Sequence, residues 1–248
     1  MKIAIIGYSR FGRLWASMLK PYGEITIFNR SDKSKAAMQQ GFDYFNIKEL
    51  HKLSNVDIVF ISVSIDATES LIKKISSYLK PGVVVMDVCS VKVLPCKWLI
   101  KYLPNNVQIM GTHPMFGPDS YLSDQSDNQI VICPVRINAV NQKMITKIFR
   151  ELKMSIITTT PVEHDKQVAY SLAMVHLIGR TLDTLPLNNI KIKSLGFERL
   201  MKIHETVSND SWDLFINMYK YNPYAISAMD DFTQNLKLIN KKIAEQKS

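Results

Sequence analysis

An α/β fold, a doubly wound parallel sheet followed by a smaller all-helical domain, is predicted by three observations on this 248-residue chain. Short β-branched runs alternate with amphipathic stretches over the first two-thirds. A glycine-containing turn directly follows the first of these runs. Strand signals then vanish after about residue 160 and helical periodicity takes over.

In order along the chain, the predicted strands are 2–6, 24–28, 57–62, 83–88, 107–111, 129–132 and 155–159, and amphipathic stretches at 11–20, 67–79 and 139–152 lie between several of them. Strands that are apolar on both faces and separated by helices belong to a parallel sheet covered on both sides. Their crossovers are right-handed almost without exception, which gives double winding. Beyond residue 160, helical periodicity runs through 162–185, 196–206 and 211–245. Pro161 suits a first helical turn, and Pro223 should split the last stretch, because a proline inside a helix removes a backbone bond and crowds the preceding turn. The expected division is 1–160 for the sheet domain and 161–248 for the helical one. A helical domain of this size is small to stand alone, so its apolar stripe (Leu214, Met218, Ile226, Met229, Phe232, Leu236, Ile239) is expected to be covered in part by a second copy of the chain.

Composition narrows the classes of function. Hydrophobic residues make up 46% and charged residues 21%, an ordinary soluble mixture. No apolar run approaches the ~20 residues of a membrane helix. The chain opens into a strand-like run rather than a cleavable leader, and Cys89, Cys96 and Cys133 lack metal-ligand spacing. Reduced thiols in a cytoplasmic protein are expected. The net charge of +9 is spread along the chain, mostly as lysine. That pattern reads as a solvated surface rather than a nucleic-acid footprint.

The turn after the first run is Gly7-Tyr8-Ser9-Arg10-Phe11-Gly12, a dinucleotide fingerprint with serine in place of its middle glycine. The first glycine permits the tight turn, the last permits close helix–strand packing, and the helix N-terminus receives a pyrophosphate. The domain is therefore Rossmann-like. At the end of the second strand stand Asn29, Arg30 and Ser31, where NAD enzymes usually carry a carboxylate for the ribose 2′-hydroxyl. A carboxylate would repel a 2′-phosphate, whereas a guanidinium grips it, so NADP is the expected cofactor.

Three segments fall at predicted strand or helix ends: Ser90-Val91-Lys92, Gly111-Thr112-His113-Pro114-Met115-Phe116-Gly117-Pro118-Asp119, and Glu163-His164-Asp165 with His176 beyond it. With Gly196-Phe197-Glu198, Ser208-Asn209-Asp210-Ser211-Trp212-Asp213-Leu214 and Tyr221-Asn222-Pro223, they resemble the prephenate/arogenate dehydrogenase family over nearly the whole chain, the C-terminal segment looking most like the plant-type arogenate dehydrogenases. That resemblance implies oxidation of arogenate or prephenate with loss of CO2, and dimers formed through the helical domains. It assigns His113 as the base that takes the substrate hydroxyl proton and Ser90 as its hydrogen-bonding companion. Lys92 would support the site by charge, Asp119 would lie in a mobile loop at the substrate, and His176 would face the substrate from the helical domain. His164 and Asp165 are open between a structural role and a substrate contact. One departure stands out: where the family usually has an arginine for the substrate's side-chain carboxylate, this chain has Lys202, with Arg199 three residues earlier. Lysine loses the bidentate fork. A reductase of hydroxy acids or imines would lack the His-Pro-Met-Phe-Gly-Pro stretch, and a non-catalytic NADP sensor would not need Ser90 and His113 together.

Overall fold

The computed structural model describes residues 1–121, 128–187 and 189–246, and it divides into two compact units, Met1–Val162 and Glu163–Ser248. In the first unit eight strands form one sheet: β1 (Lys2–Ile6), β2 (Glu24–Asn29), β3 (Asp43–Asn46), β4 (Ile58–Ile61), β5 (Val84–Asp87), β6 (Gln108–Pro114), β7 (Gln129–Arg136) and β8 (Ser155–Thr158). Their spatial order is β3-β2-β1-β4-β5-β6-β7-β8. The first six follow the dinucleotide-binding order, with the strand order reversing between β1 and β4.

Period-two alternation builds the two faces. Ile3 and Ile5 join one apolar cluster with Ile27, Phe60, Met86 and Met110, while Ala4 and Ile6 join another with Phe28, Val59, Ile61 and Val85. Helices α1 (Arg10–Leu19), α2 (Ser34–Gln39) and α5 (Ala139–Glu151) cover the first face through Trp15, Ala37 and Phe149. Helices α3 (Ile65–Ile75) and α4 (Val93–Tyr102) cover the second through Ile72 and Leu99. Each fully buried aliphatic or aromatic side chain contributes about 1.5–3 kcal/mol, so a sheet apolar on both faces holds both helix layers.

Two features depart from the expected all-parallel sheet. β7 runs antiparallel to β6, with His113 opposite Val131. Antiparallel strands need no crossover helix, and residues 115–128, carrying Gly117 and Pro118, have no helical period. β3 was not expected at all: Asp-Tyr-Phe-Asn has no β-branched residue, yet it pairs with β2 as the sheet's edge.

The second unit contains α6 (Pro161–Val168, whose first turn spans the boundary), α7 (Met174–Leu182), α8 (Leu195–Ser208), α9 (Trp212–Tyr221) and α10 (Ala225–Glu245). A π-helical turn, Ala169–Ala173, joins α6 to α7, and the Ala173 carbonyl accepts from the Tyr219 hydroxyl at 3.0 Å. Pro223 breaks the last helical stretch into α9 and α10, as expected. Asn222 fixes the break by donating from Nδ2 to the Asp165 carbonyl and accepting from the Tyr224 amide. Gly179 lets α8 approach α7: a Cβ there would stand 2.2 Å from Val207 Cγ2.

Candidate active site

The fingerprint turn leaves β1 with Gly7 at φ +106°, and a Cβ on Gly7 would lie 2.1 Å from the Ser62 carbonyl oxygen on the neighbouring β4 segment. A Cβ on Gly12 would meet the Gly7 carbonyl oxygen at the same distance. Both positions therefore require glycine. Ser9 is the N-cap of α1, makes no side-chain capping bond, and the first turn carries no acid. The α1 amides and the positive end of its dipole are thus uncancelled, which is what a pyrophosphate needs. Phe11 stacks on Trp15 at 5.7 Å and meets Phe116 at 6.4 Å, so the fingerprint and the His-Pro-Met-Phe stretch are neighbours in space.

Arg10 and Asp119, read from sequence as a cofactor and a substrate residue, form an ion pair with each other at 2.5 Å. This half-exposed pair links the two motifs. Such a pair is worth about 0.2–1 kcal/mol, so it opens readily.

At the end of β2, Asn29 is consumed internally. Its Oδ1 accepts from the Tyr8 amide at 3.0 Å, and its Nδ2 donates to the Ser31 carbonyl at 2.8 Å. The side chain that replaces the usual carboxylate thus braces the fingerprint turn and the 29–31 loop at once. Tyr44 on the unforeseen β3 adds a second brace, its hydroxyl donating to the Ser31 carbonyl at 2.8 Å and accepting from the Lys33 amide at 3.2 Å. Arg30 is exposed beside them. The nearby Asp32 carboxyl is held low by Ser34, which donates to it.

Ser90 follows the carboxyl end of β5 and His113 is the penultimate residue of the adjacent β6, at the edge where open α/β sheets place their ligands. Asp87 pairs with Gly111 across β5 and β6, putting Ser90 three residues past one strand's register point and His113 two past the other's. His113 is buried. The Ser90 hydroxyl oxygen is buried with no hydrogen-bond partner, and so is Asp87 Oδ1. Unsatisfied buried polar atoms are rare, and here they sit where a ligand is expected.

Lys92, expected to support the site by charge, is fully buried, its ammonium donating to Asp87 Oδ2 and, at 2.7 Å, to the Thr112 carbonyl. Burial alone would lower its pKa, but the charge of Asp87, with smaller contributions from Cys89 and Cys96, outweighs that and raises it. Asp87 Oδ2 also accepts from the Cys89 amide, and the Thr112 hydroxyl donates to the Asp87 carbonyl. Asp87, Lys92 and Thr112 therefore form a clamp that brackets Ser90 in sequence and ends one residue before His113. Cys89 beside it is no nucleophile: burial, then Asp87, pushes its thiol up to about 12.

In the helical unit His176 is buried on α7, and burial, reinforced by the Arg180 charge, lowers its pKa to about 4. It is a neutral imidazole whose Nδ1 lacks a partner and whose ring stacks on Phe215. His164 and Asp165 are buried and joined at 2.7 Å, with the Asp165 carbonyl holding Asn222, which gives that pair a structural role. Lys202 and Arg199 lie exposed on α8. Sequence reading passed over Arg180, although a cation four residues after His176 on a largely apolar helix was a signal.

The sequence model of the prephenate dehydrogenase nucleotide-binding domain matches residues 15–158, and that of the TYRAAT1-like C-terminal domain matches 181–248. The chain belongs to the prephenate/arogenate dehydrogenase family. Arogenate dehydrogenase 2, chloroplastic, of Arabidopsis thaliana is 31% identical over 98% of this chain and 70% of the relative. Arogenate dehydrogenase 1, chloroplastic, from the same plant is 30% identical over 94% of this chain, which spans 37% of that longer relative. The fold matches the Aquifex aeolicus prephenate dehydrogenase in complex with hydroxyphenyl propionate and NAD+, with a TM-score of 0.81 at 19% identity over 99% of this chain and 91% of that one. The resemblance carried by the Ser-Val-Lys and His-Pro-Met motifs thus holds for the family. Among the described residues no helix is long and apolar enough to cross a membrane.

Proposed function

We propose that this chain oxidatively decarboxylates arogenate or prephenate, in tyrosine biosynthesis, with NADP as hydride acceptor. The observation that carries the reading is the buried, unpartnered Ser90 hydroxyl at the carboxyl end of β5, with His113 at the end of the adjoining β6. The residues present suit a dinucleotide. Gly7, Ser9, Arg10, Phe11 and Gly12 would hold the pyrophosphate at the α1 N-terminus, and Arg30 with Ser31, braced by Asn29 and Tyr44, would hold the 2′-phosphate. When bound, the nicotinamide supplies the acceptor for the hydride from the substrate's carbinol carbon.

Ser90 orients the substrate hydroxyl, and a neutral His113 takes its proton as the carbinol becomes a carbonyl. The bond from the ring to its carboxylate then breaks. Its electron pair enters the ring, the carbonyl becomes a phenol oxygen, and CO2 leaves. Aromatisation makes the reaction one-way. We assign the helical unit substrate contacts, including His176, and self-association as a homodimer. Cys89, Cys96 and Cys133 are buried thiols not joined in disulfides, which suits a reducing, cytoplasmic compartment.

The test is NADP and NAD reduction by the purified chain, with arogenate and prephenate in parallel. His113→Asn should lower turnover about 10²–10⁴-fold, the usual cost of a lost general base, while NADP binding stays. Unchanged turnover in that variant would remove His113 from the mechanism.

A further inference from the structure

The short edge strand β3 carries no sequence signal, yet two of its side chains are tied to the loop that follows β2. Tyr44 and Asn46 stand two residues apart and so on one face of the strand. The Tyr44 ring is half-buried against the first apolar cluster, which fixes its hydroxyl. Asn46 is fixed by its own neighbours. Its Oδ1 accepts from the Lys48 amide and its backbone amide donates to Glu49 Oε2, capping the helical turn Ile47–Asn55. Both side chains are therefore held in place by contacts other than those they make with the loop.

Together with Asn29 they take up the acceptors of the loop. The Arg30 carbonyl accepts from Asn46 Nδ2 at 3.4 Å. The Ser31 carbonyl accepts twice, from the Tyr44 hydroxyl and from Asn29 Nδ2, each at 2.8 Å. Asn29 Oδ1, at the place of the usual carboxylate, is taken by the Tyr8 amide. Asn29 Nδ2 also donates to Ser31 Oγ at 3.2 Å, which leaves the proton of that hydroxyl to be donated. Asp32, the loop's one carboxylate, is turned to Ser34, which donates to it. What the loop keeps for a ligand is a set of donors: the Ser31 hydroxyl, the Arg30 guanidinium and the Lys33 ammonium, all on exposed residues. A phosphomonoester offers strong acceptor oxygens and matches that set. A ribose 2′-hydroxyl is held instead by an acceptor.

We infer that β3 is a cofactor-selectivity element in which Tyr44 and Asn46 are positioning residues. By holding the Ser31 and Arg30 carbonyls they leave the loop with donors alone, which favours the 2′-phosphate of NADP and denies the 2′-hydroxyl of NAD an acceptor. The inference rests on the NADP reading and extends it to residues that act through the loop. Removing the Tyr44 hydroxyl leaves the Ser31 carbonyl with one donor in place of two and takes the acceptor from the Lys33 amide. The loop then regains an acceptor lone pair and loses a tie to the sheet.

The experiment uses the full chain and needs no turnover. Calorimetric titration compares NADP with NAD, and 2′,5′-ADP with 5′-AMP, in the wild type, Tyr44→Phe and Asn46→Ser. Tyr44→Phe keeps the ring packing and removes only the hydroxyl. Asn46→Ser keeps an oxygen to cap the turn and removes the amide donor. Each should weaken NADP and 2′,5′-ADP about 3–30-fold, the scale of one misplaced charge-assisted hydrogen bond. NAD and 5′-AMP should bind as before or more tightly. Circular dichroism checks the fold, and if Tyr44→Phe does not fold, Asn46→Ser carries the test. A wild type without preference for NADP over NAD ends the NADP reading and the inference with it. A wild type that prefers NADP, beside a folded Tyr44→Phe that keeps the ratio of the two affinities, overturns the inference and leaves the NADP reading standing. Equal losses for both cofactors are what a purely structural brace would give, and they count as that second result.

Discussion

Lys92→Met removes the cationic half of the Asp87–Lys92 clamp while keeping most of the buried volume. Both side chains are 0% exposed, so the variant leaves a carboxylate in the core with the Cys89 amide as its donor. The Thr112 carbonyl loses its ammonium donor at the same time. Breaking a buried pair by removing one partner costs about 3–5 kcal/mol, a large share of the ~5–15 kcal/mol that holds a domain together. At about 2–4 °C per kcal/mol for a unit of this size, the first unit should melt roughly 6–20 °C lower. Lys92 has a raised pKa, so its contribution is complete below the ordinary lysine value of about 10.4 and is lost only as the pH rises through the raised one. The gap between wild type and variant should therefore be constant across the neutral range. Adding Asp87→Asn removes the stranded charge and keeps an acceptor for Cys89, and should restore more than half of the loss. Scanning calorimetry of the full chain, with fluorescence of the fully buried Trp15 reporting the first unit, measures both. A shift for Lys92→Met under about 3 °C, which is ~1 kcal/mol, or a double variant less stable than the single one, would refute the clamp.

Three further outcomes are expected. Arg30→Ala should weaken NADP far more than NAD, as read by cofactor titration, because only NADP carries the phosphate that the guanidinium grips; equal losses would end that assignment. His176 is held neutral, with a folded pKa of about 4 against ~6.5 unfolded. The unfolded chain therefore binds the extra proton, and stability is lost as the pH falls through that window; His176→Phe should flatten this part of the Tm-versus-pH curve, and an unflattened curve would show that the imidazole carries no such burden. Finally, Leu236, Leu238, Ile239 and Ile243 of α10 are each about half exposed in the single chain. Light scattering should give about double the 28.4 kDa chain mass, and Ile239→Glu should return it towards the single mass; a monomer that still oxidises substrate would reject the dimer and leave the enzyme intact.

What the sequence made legible follows from which interactions are local. β1, β2 and α1 could be placed because an unbroken apolar run and a glycine turn are short-range signals, and Gly7 and Gly12 proved to be positions where a Cβ would strike backbone. The break at Pro223 was legible for the same reason. β3 was not, because an edge strand without β-branched residues gains its order from pairing with β2 rather than from its own composition. The direction of β7 was equally hidden, since a strand apolar on both faces reads alike either way.

The candidate site divides along the same line. Ser90 and His113 were read from motif positions, and in the structure Ser90 lies three residues past the end of β5 while His113 lies near the end of the adjoining β6. The burial of Lys92 was not legible because its partners, Asp87 and Thr112, are chosen by strand register: charge in a motif says nothing about whether the charge reaches solvent. Arg180 was missed for the converse reason. Arg199 and Lys202 attracted attention by their place in a motif, yet they lie in water, whereas Arg180, four residues after His176, is desolvated by the fold. A cation acts strongly on a ligand only where water is excluded. Of the cations named here, Lys92 and Arg180 are thus the two that the fold takes out of water, and Arg199 and Lys202 are left in it.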